Sequence, residues 1–161
     1  MKHQIVPNLW LDTEAEQAAA FYTSVFPSSR VVGTTRYTEA GPGEPGTVMT
    51  VEFELDGQRF VGINGGPQFP FTEAVSFQIT CDTQEELDRY WDALTDGGQE
   101  VQCGWLKDRF GLSWQVVPTG MQELFDDPDQ GRVDRAMTAM LGMVKLDIRA
   151  LQEAADGIGA R

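Results

Sequence analysis

The sequence predicts an α+β fold made of two copies of a strand–helix–strands module, followed by a helical C-terminal extension. Three observations lead there. Asp12-Thr13-Glu14-Ala15-Glu16 returns seventy positions later as Asp82-Thr83-Gln84-Glu85-Glu86. Each copy follows a run alternating apolar and polar residues and precedes an apolar stripe at helical spacing. After Pro118 the pattern changes to helix-like runs with no counterpart in the repeat. Repetition at a fixed period marks repeated supersecondary units, and periods of 2 and 3.6 separate strands from helices.

Ile5 to Leu11 alternates, with Ile5, Leu9 and Leu11 on one side and Val6, Asn8 and Trp10 on the other, as a strand does. Thr13 and Glu16 fit a capping box at a helix start. The helix carries Ala18, Phe21, Tyr22 and Val25 and stops near Pro27. Val31 to Tyr37 reads as a second strand, and Gly41 to Gly46 is a loop dense in breakers. Met49, Val51, Phe53 and Leu55 alternate with Thr50, Glu52 and Glu54. Asp56-Gly57 then signals a hairpin whose return strand is Arg59 to Asn64. The second module begins at Val75, with Phe77, Ile79 and Cys81 facing one way and Ser76, Gln78 and Thr80 the other. Thr83 and Glu86 repeat the capping box, Leu87, Tyr90, Trp91 and Leu94 form the stripe, and Gly97-Gly98 ends the helix. Strands are expected at Gln99 to Cys103 and Leu112 to Val117, with Lys107 to Gly111 turning between them. Superposed, the modules pair Val6 with Ser76, Asn8 with Gln78 and Trp10 with Thr80. In the tail, Met121 to Phe125 forms a short turn of helix. Val133 through Val144 steps at helical spacing, and Asp147 caps a last helix through Leu151. The Met-rich stripe there either covers the sheet or a partner subunit, or lines a ligand groove.

At 161 residues the chain has one domain's length, or two small modules sharing a core. The expected organisation is a single domain over residues 1–120, of modules at about 4–67 and 72–118, with the extension at 121–161. Two cysteines and one histidine exclude a dedicated zinc cluster. With no charged n-region leading into an apolar run, and no long apolar stretch, a cytoplasmic location is expected and membrane insertion is not. A formal charge of −13 repels phosphate backbones and anionic lipid, so nucleic acid and membrane surfaces are poor partners.

Several strings carry a resemblance. Pro7-Asn8-Leu9-Trp10-Leu11-Asp12, Ala20-Phe21-Tyr22, Phe53 to Gln58 and Asn64-Gly65-Gly66-Pro67 resemble the PhnB-like branch of the vicinal-oxygen-chelate superfamily. So do Cys103 to Asp108, Phe110-Gly111 and Ser113 to Pro118. This superfamily holds glyoxalases, bleomycin-resistance proteins and extradiol dioxygenases, and the branch often carries the label 3-demethylubiquinone-9 3-methyltransferase. The resemblance covers nearly the whole chain, tail included. It implies two tandem βαβββ modules forming a cupped mixed sheet with helices on the convex side, a cavity lined by both modules, and a homodimer.

Metal-dependent members of that superfamily place His, Gln or Glu on the first and last strands of each module. Carried over, these places fall on Val6 or Asn8, Ser76 or Gln78, Gln115, and Gly62 or Asn64. Neutral amides alone supply too little charge to hold a divalent ion tightly, so no metal and no cofactor is expected. His3, the sole histidine, sits in the N-terminal tail and is read as solvated. Glu52 is the objection. Facing the cup and desolvated by Trp10 and Phe60, it would serve as a general base or complete a metal site. The alternative is a rim carboxylate among 25 acidic residues.

Asn8, Gln78 and Gln115 either bond one another and water or orient a polar small molecule in an aromatic-walled pocket. Trp10 and Trp105 are core and wall, or stack on a planar ligand. Cys103 reads as an ordinary strand thiol, with no histidine to activate it. The leading expectation is a metal-free binding protein for a small organic molecule, with Asn8, Trp10, Asn64, Ser76, Gln78, Trp105 and Gln115 as ligand contacts. A metal-dependent lyase, isomerase or dioxygenase recruiting Glu52 comes second. Methyl transfer comes third, because neither glycine cluster opens a helix after a strand.

Overall fold

A computed structural model describes residues 5–158; His3 lies outside them. The chain divides into two compact units, Met1–Phe71 and Thr72–Arg161. Each contains one four-stranded mixed sheet whose edge strands do not pair with each other, so each sheet is open.

In the first unit the elements run β1 (Asn8–Leu11), α1 (Ala15–Val25), β2 (Arg30–Arg36), β3 (Val48–Leu55) and β4 (Gln58–Asn64). Their order across the sheet is β1-β4-β3-β2, with β1 parallel to β4 and the rest antiparallel. Asp56 and Gly57 carry φ of 44° and 83°, the two left-handed residues that a two-residue hairpin turn needs. The alternation in β3 sorts as expected: Val51, Phe53 and Leu55 are buried under α1. Small residues set how close the helix comes. Ala15, Ala18 and Ala19 are fully buried, and a Cβ on Gly62 would stand 3.2 Å from that of Ala15. Phe53 stacks between Tyr22 and Phe60, with ring centroids 6.0 and 5.5 Å apart.

In the second unit β5 (Ser76–Cys81), α2 (Gln84–Thr95), β6 (Gln99–Glu100), β7 (Trp105–Lys107) and β8 (Ser113–Pro118) repeat the plan, in the order β5-β8-β7-β6. The expected stripe of α2 is the one buried: Leu87, Tyr90, Trp91 and Leu94. One expectation needs correction here. The strand proposed for Gln99 to Cys103 ends at Glu100, because the chain turns through Cys103 and Gly104 at φ of 60° and 79°. The third strand of the module is the short β7 instead, three residues sustained by pairing with β8.

The two capping boxes fare differently. At α2, the Thr83 hydroxyl accepts from the Glu86 N–H at 3.2 Å and the Glu86 carboxylate accepts from the Asp82 N–H at 3.0 Å. At α1 no such box forms; the Ala15 N–H is taken by Asn64 Oδ1 at 2.8 Å, from the far end of β4.

After β8 come α3 (Met121–Phe125), α4 (Gln130–Leu141) and α5 (Ile148–Ala155). Asp129 and Asp147 cap α4 and α5 through backbone N–H groups. The tail is stitched to the second sheet. Cys103 and Gly104 donate to the Met143 and Val144 carbonyls at 2.9 and 2.8 Å. Gln84 brackets the crossing, donating to the Leu146 carbonyl at 3.1 Å and accepting from the Ile148 N–H at 2.9 Å. Gly104 is required there, since a Cβ would meet the Val116 carbonyl at 2.8 Å and Leu146 at 2.9 Å. Among the described residues no helix is long and apolar enough to cross a membrane.

Candidate functional site

Each sheet has a face turned away from its helix, and register decides which side chains share it. In the second sheet Gln78 pairs with Gln115 and Trp105 with Gln115, so the three stand in one row across β5, β8 and β7. Thr80 and Val117 form the next row. The α3 and α4 helices complete a cavity of about 350 Å³ over this face. Gln78, Thr80, Trp105 and Gln115 lie on the sheet side, and Met121 and Met140 among the helical walls. Of the Met-rich stripe only Met140 lines this cavity, while Met137, Leu141 and Val144 are exposed and α4 packs on α3 and α5.

The polar groups here are partly uncommitted. Gln115 Nε2 donates to Ser76 Oγ at 2.9 Å, which fixes that amide and leaves Oε1 as a presented acceptor. The side chains of Gln78 and Thr80, both exposed, and the Trp105 indole N–H have no hydrogen-bond partner among the described residues. Ser76 does not line the cavity; it orients Gln115 from the neighbouring row. Cys103 also lines the cavity, and it sits in a positive-φ turn rather than in the strand expected for it. The other thiol, Cys81, is fully buried, and burial followed by the Glu86 carboxylate pushes it up to about 11.

The equivalent face of the first sheet is engaged with itself. Asn8 donates its amide to the Val6 carbonyl at 2.9 Å. Trp10 donates to the Gly66 carbonyl at 2.9 Å and meets Phe69 edge-on at 5.1 Å. Gly65 exists for this contact, because any Cβ there would overlap the Trp10 indole.

Two readings of this unit are corrected by register. Asn64 is not beside Asn8 and Trp10: it shares parity with Phe60 and Gly62 on the helix side. There it accepts from Ala15 N–H and donates to the Val48 carbonyl at 3.1 Å, as a cap and strap. Glu52 is not desolvated by Phe60, which lies on the opposite face against Phe53. Instead it pairs with Arg59 at 3.1 Å, both side chains being more than two-fifths exposed.

Asp108, which the sequence places only in a turn, is a buried carboxylate with three hydrogen-bond donors around it. Only 3% exposed, it accepts from the Phe110 and Leu112 N–H groups at 2.8 and 3.1 Å and from Trp114 Nε1 at 2.8 Å. The apolar spacing of Phe110, Leu112 and Trp114 around a lone acid was the available signal.

As for metals, among the described residues no three His, Cys, Asp or Glu side chains converge closely enough to hold an ion. The cavity is lined by amides, two threonine hydroxyls, an indole and a thiol, with Glu123 as its one carboxylate. That set does not fit a tightly held divalent cation, which needs several anionic or imidazole ligands.

Comparison with known proteins places these features. The 3-demethylubiquinone-9 3-methyltransferase family matches residues 3–117. A PhnB protein from Bacillus cereus described by that same name is 37% identical, with coverage of 73% of this chain and 100% of that one and a TM-score of 0.66. A protein from Pseudomonas aeruginosa is 20% identical over 73% of this chain and 98% of its own, with a TM-score of 0.60. The fosfomycin resistance protein FosX from Mesorhizobium loti, 11% identical over 79% and 99%, shares the fold with a TM-score of 0.56. No curated protein matches. The family match stops short of α3, so the resemblance does not extend through the tail, and Met121, Phe125 and Met140 lie beyond it.

Proposed function

This chain belongs to the 3-demethylubiquinone-9 3-methyltransferase family, in the PhnB-like branch of the vicinal-oxygen-chelate superfamily, and on that premise we propose that it binds a small organic molecule in the cavity of its second unit, without a tightly bound metal. One observation carries the reading. Gln78, Gln115 and Trp105 stand in a single row lining a 350 Å³ cavity, and two of the three have no polar partner among the described residues. A concave, largely apolar space with a few convergent polar groups is the usual form of a ligand site. The set reduces to Gln78, Trp105 and Gln115, with Ser76 in support. Asn8 and Trp10 stand outside the proposal, being engaged within the first unit.

Methyl transfer, which the family's name would suggest, lacks support in the residues. The chain passes from β1 to α1 through Asp12-Thr13-Glu14 and from β5 to α2 through Asp82-Thr83, so no glycine-rich turn opens either helix. The glycines of Asn64-Gly65-Gly66 serve Trp10 and a left-handed turn at φ 97°. Pairing of the modules into one domain, the homodimer and a cytoplasmic location are part of the same proposal, and sedimentation equilibrium tests the second of these.

The test is a thermal-shift screen of uncharged aromatic fragments on the wild type and on Thr80→Trp, which places an indole in the cavity from an exposed strand position. Fragments that raise the melting temperature of the wild type but not of the variant support the reading. Hits that all survive in Thr80→Trp contradict it. Nickel, manganese, zinc and ferrous iron, each tested against chelator, are expected to leave the melting temperature within about a degree; a shift of several degrees reversed by chelator argues for the metal-dependent alternative.

A further inference from the structure

We propose that the cavity of the second unit is selective for uncharged, planar molecules that present a hydrogen-bond donor and acceptor side by side, the chemistry of a cyclic amide. The inference rests on reading that cavity as the ligand site and goes beyond it by naming the class. Three features carry it.

The first is the placement of the amides. Gln78 and Gln115 are register partners on adjacent parallel strands, pointing to the same face, and adjacent strands lie about 4.8 Å apart. Two primary carboxamides are thus presented together on the sheet wall of the cavity, Gln115 half-buried and Gln78 exposed. The bond from Gln115 Nε2 to Ser76 Oγ takes one of that amide's two N–H donors and fixes its orientation, so that its oxygen is presented to accept. A ligand therefore meets Gln115 with an N–H, and Gln78, free to turn, donates to an adjacent carbonyl.

The second is the wall. Trp105 flanks Gln115 in the same row, and it has no aromatic or polar partner among the described residues. Met121, Met140 and Phe125 supply polarisable and aromatic surface, which suits the face of a flat ring.

The third is charge. Among the cavity-lining residues there is no lysine, arginine or histidine, and the one charged side chain is Glu123. An anion would lose hydration with no cation to meet it, on a chain already carrying −13. Phosphonates, carboxylates and phosphate esters are excluded by that argument. The Lys107 ammonium shares the open face but is held by Glu73 at 2.5 Å and does not line the cavity.

Three probes of one shape separate these features: 2-quinolinone (N–H beside C=O), 2-methoxyquinoline (the same ring without the N–H) and quinoline-2-carboxylate. By calorimetry the wild type is expected to bind 2-quinolinone at least tenfold more tightly than the ether, with no measurable binding of the carboxylate. Gln115→Leu is expected to erase the preference for the lactam over the ether while circular dichroism shows an intact fold. Equal affinity for lactam and ether, both lost in Thr80→Trp, overturns the proposed class and leaves the cavity as a ligand site. Tighter binding of the carboxylate, or no binding of any of the three, also overturns it, while the Thr80→Trp screen judges the cavity on its own.

Discussion

The two sheets share a topology, and their open faces differ in how completely their polar groups are matched. On the first, Asn8, Trp10, Glu52 and the edge threonines all have partners within the unit: a carbonyl, a carbonyl, Arg59, and the Thr35–Thr50 contact at 2.6 Å. On the second, the Gln78, Thr80 and Trp105 side chains have none among the described residues, and α3 and α4 border an open cavity over a face where Gln78 and Thr80 are exposed. A saturated face is a finished surface. An unsaturated one inside a cavity keeps hydrogen-bonding capacity that water fills provisionally and a ligand can take over. The duplicated plan has left one copy as scaffold and the other as candidate site.

The sharpest way to break this contrast is at the turns that close the two last hairpins. Asp108→Ala strips a buried acceptor from two backbone N–H groups and from Trp114 Nε1. Orphaned buried donors cost about 1–3 kcal/mol each, so chemical denaturation is expected to register a loss of about 3 kcal/mol or more. Asp56→Ala, in the exposed hairpin turn of the first unit, removes no such set. It bears only the left-handed φ of 44°, and its expected loss is about 1 kcal/mol. Equal losses would deny Asp108 its structural role.

Next in size is the exchange of roles between Asn64 and Gln115. Asn64→Ala is expected to destabilise by about 1–2 kcal/mol, since it uncaps the first amide of α1 and frees the Val48 carbonyl. Gln115→Leu loses one bond to a half-exposed serine and is expected to change stability by less than about 1 kcal/mol. A large loss in the glutamine variant would make it a structural residue rather than a ligand contact.

Smaller again is the capping comparison. Thr83→Ala is expected to cost about 1 kcal/mol, measured by the shift of the unfolding midpoint, because its hydroxyl caps α2. Thr13→Ala has no cap to lose and is expected to fall within about 0.5 kcal/mol of the wild type. Last, with no stability change at all, brief alkylation at pH 8 followed by peptide mass spectrometry is expected to modify Cys103 and spare Cys81. The latter is buried, and its thiol sits near 11. Modification of both in the folded protein would contradict the burial of Cys81.

Much of this was readable from the residues alone where the deciding interactions are local. The alternation of β3 and the stripe of α2 follow from periodicity, and the Thr83 box is closed within five residues. The Thr13 box is replaced at α1: the N-cap is Glu14, whose carboxylate takes the Thr13 N–H at 3.0 Å, and Asn64, 49 positions away, takes the Ala15 N–H. Parity had the information, because Asn64 is two residues from Gly62 and four from the buried Phe60. Likewise Phe60 and Glu52 have opposite parity across the β3–β4 pairing, so Phe60 could not desolvate that carboxylate. The three residues of β7 carry too little pattern to announce a strand, and pairing with β8 makes them one. What the Met-rich stripe does is set by where the tail crosses Gly104, a contact between distant segments that no window of sequence contains.

Hydrogen exchange of the four indole N–H groups, read by NMR on the ligand-free protein, tests the central contrast most directly. Trp10, Trp91 and Trp114 donate to Gly66, Glu100 and Asp108, and their signals are expected to exchange slowly. Trp105 is expected to exchange far faster, and its signal is assigned by its loss in Trp105→Phe. A Trp105 proton as protected as the others, or a Trp10 proton exchanging freely, would contradict the division between a saturated face and an unsaturated one.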